Sequence, residues 1–169
     1  IYAAGTFGFE ADELIVFGIV INVAAGLGAW LFGFIDDRLG GKRTLLLSLL
    51  GLSAASLLAV VTTSRTLFWV AALLIGIFAG PSQSASRSLL GRFTPLDKRN
   101  EFYGFFAFSG KATAFLGPLL LGLFTDWAGS QRVGVSSVLL FFLAGMLLLA
   151  RVDEAEGVRL ARAAEADGT

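Results

Sequence analysis

Lys111 stands in a run, Phe102 to Thr125, that carries no other charge. An ammonium so placed can grip an anionic part of a small molecule or join an ion pair that changes partners. It can equally bond helix carbonyls and do no more. Counted from Asn100, its backbone lies about 16 Å along a helix rising ~1.5 Å per residue, near the middle of a ~30 Å hydrocarbon layer. A lysine there costs roughly 2.5–3.5 kcal/mol on insertion scales, so it must face a bundle interior, a wet cavity or a partner.

A second set shares one helical stripe. Gly76, Gly80, Gln83 and Arg87 recur at i, i+4, i+7 and i+11, which puts an amide and a guanidinium on one small-residue face. That pair suits a carboxylate held by two parallel bonds. Arg87 is also close enough to a basic loop to snorkel to the interface from a helix carboxy terminus, an equally adequate account. Asn22 lies on another stripe, Gly18, Asn22, Ala25, Ala29 and Gly33, which reads as a packing seam with one interhelical hydrogen bond. The pairs Gly80-Pro81 and Gly117-Pro118 each remove a helix hydrogen bond and should bend their helices. Such interruptions point to binding sites in transporters, or serve packing alone.

The elements that carry these residues are long and apolar. Leu14 to Ile35, Thr44 to Ser64, Thr66 to Ser86 and Val133 to Ala150 are uncharged, and the Lys111 run makes a fifth. Each approaches the ~20 residues a helix needs to cross a bilayer, whereas membrane strands are shorter and alternate in polarity. The spacing predicts an all-α transmembrane bundle with spans at about 12–35, 43–64, 66–90, 100–125 and 132–151. Residues 1–9 read as the end of a preceding helix with an external turn, and 152–169 as a solvated, frayed cytoplasmic tail. The start at Ile1 and the missing signal-peptide pattern suggest a piece of a longer protein. The second and last spans carry nothing more polar than Ser and Thr, so they read as lipid-facing scaffold.

Composition agrees. Mean hydropathy is +0.78, and 15% of residues are charged against about a quarter in soluble domains. Zero net charge argues against a nucleic-acid partner. With no Cys and no His, thiolate metal sites and His-based catalytic triads fall away; no catalytic residue, metal or cofactor is expected. Lys and Arg divide unevenly among the loops: nine lie after the first, third and last spans, and only Arg65 and Arg132 in the intervening turns. The positive-inside rule then puts the carboxy terminus in the cytoplasm.

One motif sits in the first basic loop: Gly33-Phe-Ile-Asp36-Asp37-Arg38-Leu-Gly40-Gly41-Lys42-Arg43. Its chemistry can be read directly. Gly33 would admit a neighbouring backbone, Gly40 and Gly41 allow positive φ in a tight turn, and Arg38, Lys42 and Arg43 would hold the loop at an anionic leaflet. The run resembles the G-x-x-x-D-R-x-G signature of the major facilitator superfamily, departing from it at Gly41, where a basic residue is usual. Gly80-Pro-Ser-Gln83-Ser-Ala-Ser86-Arg87-Ser88-Leu, the basic loop with Pro95, Glu101-Phe-Tyr-Gly104-Phe and Gly117-Pro118 are similar to the carboxy-terminal half of the vacuole effluxer-like family.

That resemblance covers roughly residues 1–154. It implies five complete spans and the end of another in a twelve-helix secondary transporter. It further implies a small polar solute, with amino acids the suggested class, and Asn22, Gln83, Arg87 and Lys111 in the pathway. The implied partners are the lipid bilayer, the amino-terminal half of the same protein and the solute; the implied location is a bacterial plasma membrane. In the family, Asp37 would meet a helix end of the opposite half. Asp12, Glu13, Glu101 and Asp126 lie at span ends, so a proton-coupling acid would belong to the other half. A non-transporting membrane scaffold is the competing class.

Overall fold

The computed structural model describes residues 2–167; Ile1, Gly168 and Thr169, which belong to the expected leading helix end and tail, lie outside the described residues. Every regular element among them is helical: α1 (Tyr2–Phe7), α2 (Ala11–Leu39), α3 (Gly41–Val61), α4 (Arg65–Phe93), α5 (Arg99–Ala114), α6 (Leu116–Ala128), α7 (Gln131–Ala150) and α8 (Glu154–Asp167). A 3-10 turn at Leu96–Lys98 leads into α5. Five stretches are long and apolar enough to cross a membrane: α2, α3, α4, Leu96–Ala128 and α7. The all-α transmembrane expectation holds.

α2 and α4 outrun their apolar stretches. α2 continues through the motif to Leu39, where Gly40 (φ +87°) ends it and sends its N–H to the Asp36 carbonyl at 3.0 Å. The expected loop is therefore mostly helix, because a hydrocarbon-length rule measures the lipid layer and not the helix that passes beyond it. Of its two glycines only Gly40 has positive φ. Gly41 begins α3, and a Cβ there would meet Leu89 Cβ at 3.2 Å.

α2 and α4 pack along their length, α4 and α7 flank α3, and α6 returns against α7. The α2–α4 contact is made by backbone. A Cβ on Gly28 would fall 2.0 Å from the Ile77 carbonyl oxygen, and one on Gly80 would fall 1.9 Å from that of Ala25. Small residues at such crossings let helices approach closely enough for Cα–H···O contacts. The seam thus uses Ile21, Ala24, Ala25, Gly28 and Ala29 against Gly76, Ile77 and Gly80. Gly18 and Gly33 have nothing within 4 Å of a Cβ, which corrects the expected stripe: the real seam is rotated partly off it.

α3 is less peripheral than its sequence suggests. Thr44, Ser48, Leu52, Ala55, Ser56 and Ala59 are buried, while Leu47, Leu50, Leu57 and Val61 face outward. Thr44 and Ser48 satisfy their hydroxyls on the preceding turn, at Gly40 O and Thr44 O, so small polar side chains serve a helix–helix contact. At the end away from the motif, Phe17 and Phe68 stack at 5.7 Å. Arg65 lies 4.5 Å from the Phe9 ring centre and pairs with Glu13.

Among the described residues the tail is helical from Glu154 to Asp167 rather than frayed. α8 docks on α4, burying Ala161 and setting Gly157 where a Cβ would lie 2.7 Å from the Phe93 ring. Acidic Glu154 and Glu156 in its first turn and an Ala-rich body favour the helix.

Candidate functional site

Asn22, Ala25, Gly26 and Ala29 of α2 and Gly80, Gln83, Ser84 and Arg87 of α4 line one open groove of about 540 Å³. The tight seam beside it forces this proximity: where two backbones nearly touch, flanking side chains must diverge into a trough. Asn22, Gln83 and Arg87 are exposed there. Asn22 Nδ2 donates to Gly18 O of its own helix at 2.8 Å, correcting the expected interhelical bond. Its Oδ1 remains an acceptor, beside a second amide, a hydroxyl and a guanidinium. Such a set can bind a carboxylate at one end and a donor at the other. Pro81 is buried, and α4 passes through it as a single helix.

Lys111 is placed elsewhere. It is exposed in the last turn of α5 and lines a separate concavity with Phe106, Ser109, Gly110 and Thr113. No residue of α5 or α6 is buried among the described residues. The helix is interrupted at Phe115, one turn before Pro118, which cannot donate to the Ala114 carbonyl. The second Gly-Pro pair thus coincides with a break and the first does not. A hydrogen bond from Tyr103 Oη to the Arg87 carbonyl, 3.2 Å, ties α5 to α4.

The motif end of the bundle holds a charge network. Asp36 Oδ2 accepts from Ser88 Oγ at 2.7 Å and from Arg92 Nη2 at 3.1 Å. Arg92 Nη1 reaches Glu154 Oε1 at 3.4 Å. Glu154 also accepts the backbone N–H groups of Gly41 (3.1 Å) and Lys42 (3.2 Å), two of the N–H groups that the start of α3 leaves free, where a carboxylate is stabilising. Lys42 Nζ donates to the carbonyls of Ala150 (3.0 Å) and Val152 (2.6 Å) and so caps α7. Asp36 Oδ1 is buried with no partner among the described residues, a costly position for a carboxylate oxygen.

Asp37, Arg38 and Arg43 of the motif are exposed, and Gly33 is open. Sequence reasoning singled out Asp37 and passed over Asp36, Ser88, Arg92 and Glu154. Ser88 and Arg92, one turn apart on α4, were the available signal for a shared polar face; nothing in the sequence announces Glu154 as their partner.

A family model described as "Vacuole effluxer Atg22 like" matches residues 1–162. The chain is 28% identical over 147 residues to "Uncharacterized MFS-type transporter YxiO" of Bacillus subtilis, covering 87% of this chain and 34% of the relative. It is 27% identical over 175 residues to "Autophagy-related protein 22" of Cryptococcus neoformans, covering 94% and 31%. A third relative, "Autophagy-related protein 22" of Kluyveromyces lactis, is 32% identical over 87 residues, covering 52% and 18%. The chain therefore spans about a third of the length of the first two relatives. No solved structure matches it.

Proposed function

Because the chain belongs to the Atg22-like vacuole effluxer family, we propose that it forms part of a secondary transporter moving a small polar solute by alternating access. The groove between α2 and α4 carries the reading: Asn22, Gln83 and Arg87 converge there, within helices long and apolar enough to span a bilayer. A guanidinium beside two amides favours a solute with a carboxylate, and amino acids are the class proposed. Lys111 is a second anion-binding group that acts when α5 meets the opposite half. The Asp36 network and exposed Asp37 hold one access state at the motif end. That end and α8 are placed in the cytoplasm, with the protein in a bacterial plasma membrane, on the division of Lys and Arg among the loops.

The test is uptake by the full-length protein in proteoliposomes. Wild type should accumulate a carboxylate-bearing solute, and Arg87→Gln should raise the half-saturating concentration at least about tenfold, the loss expected for a charge-assisted bidentate bond. Unchanged uptake by a well-folded Arg87→Gln protein rules out the groove as the binding site. Absence of uptake by wild type across amino acids and other small polar solutes favours the scaffold reading.

A further inference from the structure

A cavity of about 410 Å³ opens between the end of α4, the start of α5 and α8, lined by Gly91, Arg92, Thr94, Arg99, Val158, Ala161, Arg162 and Glu165. Three guanidiniums meet there. Arg92 is engaged by Asp36 and Glu154, and Glu165 accepts the Leu96 N–H at 3.1 Å. Arg99 and Arg162 have no ion-pair or hydrogen-bond partner among the described residues. Two exposed guanidiniums without partners on one concavity, contributed by helices far apart in sequence, keep their donors free for an incoming anion.

We propose that this cavity binds a phosphate group, held between the forks of Arg99 and Arg162. The planar guanidinium matches two phosphate oxygens at once, and two of them can share one phosphate. The cavity lies where α4 and α5 leave their apolar stretches, at headgroup height, and Leu96 beside it is 61% exposed, a side chain that an acyl layer would cover. A phosphodiester lipid headgroup and a soluble phosphate share the required chemistry. The inference is independent of the transport reading, since none of Asn22, Gln83, Arg87 or Lys111 takes part.

The experiment uses full-length protein and two probes: phosphatidylglycerol in phosphatidylcholine nanodiscs, and inorganic phosphate. Binding is read by native mass spectrometry and by competition. Arg99→Gln combined with Arg162→Gln should weaken binding about 25-fold, roughly fivefold for each basic group at a membrane surface. The control Arg132→Gln, which removes a charge at the start of α7 and the opposite end of the bundle, should change it less than about twofold, because the distance exceeds the screening length. Lipid binding that phosphate cannot displace assigns the site to the headgroup; binding of phosphate alone assigns it to a soluble anion. Equal affinity in wild type and the Arg99/Arg162 variant, or an equal loss in the control, overturns the proposal. If the double variant melts several degrees lower, the single variants decide, each with an expected loss of about fivefold.

Discussion

Gly28 of α2 rests against the carbonyl oxygen of Ile77, with no room for a Cβ between them. Ile77 precedes Pro81 by one turn, so the donor that this carbonyl would meet in an ordinary helix is missing. A Cα–H of the neighbouring helix therefore covers an acceptor that lipid would leave bare. The arrangement also explains why α4 tolerates Pro81 without breaking.

Gly28→Ala and Gly80→Ala should each lower stability by about 1–3 kcal/mol, the usual cost of forcing packed backbones apart. Gly18→Ala, with open space around it, should leave it equal or slightly raised. Detergent melting of the three variants checks the order; equal melting of all three refutes the seam.

Asp36→Asn should lower the melting temperature, because Arg92 and Ser88 lose their acceptor charge. Asp37→Asn should leave melting unchanged and reduce transport by full-length protein, since Asp37 is exposed and free to meet another surface. Wild-type transport by Asp37→Asn removes it from the gating role.

Glu154→Gln weakens both the Arg92 pair and the cap on α3. A loss of about 1–3 kcal/mol is expected for a partly buried charged bond, together with faster protease cleavage near α8. A tail as resistant as in wild type counts against the docked α8.

Lys111→Gln separates binding from structure. Loss of substrate affinity with unchanged melting supports anion binding, since a neutral amide is easier to bury than an ammonium. Unchanged affinity in a well-folded variant eliminates that role.

Topology can be read with single cysteines, because the chain has none. Asp97→Cys should react only with reagents reaching the cytoplasm and Ala128→Cys only from outside. Equal reactivity at both contradicts the orientation.

The bilayer imposes so strict a rule on charge and length that all five spans could be read from runs carrying no charge or, with Lys111, a single one. The common face of Gln83 and Arg87 followed from helical spacing, because i+4 neighbours stay neighbours in any helix. What the sequence hid was rotation and distance. The stripe through Gly18 and Gly33 was a fair reading of small residues, but which side of α2 meets α4 is decided by where Ile77 and Ala25 present their carbonyls. Glu154 and Gly41 lie 113 positions apart, and no local pattern links them. The tail, rich in Ala, Glu, Asp and Arg, read as frayed because nothing local announces the contact of Gly157 with Phe93 that docks it.

The interruption at Phe115 has a mechanical consequence. α2 and α4 are joined backbone to backbone and must travel as a stiff strut, and the clasp of Lys42 on Ala150 and Val152 binds α3 to α7. Strain imposed on such a frame collects in its most compliant member. That member is α5, jointed to α6 at Phe115 and tied to α4 by the Tyr103 hydrogen bond, so a tilt about the joint sweeps its Arg99 end widely while Lys111, one turn from the pivot, turns almost in place.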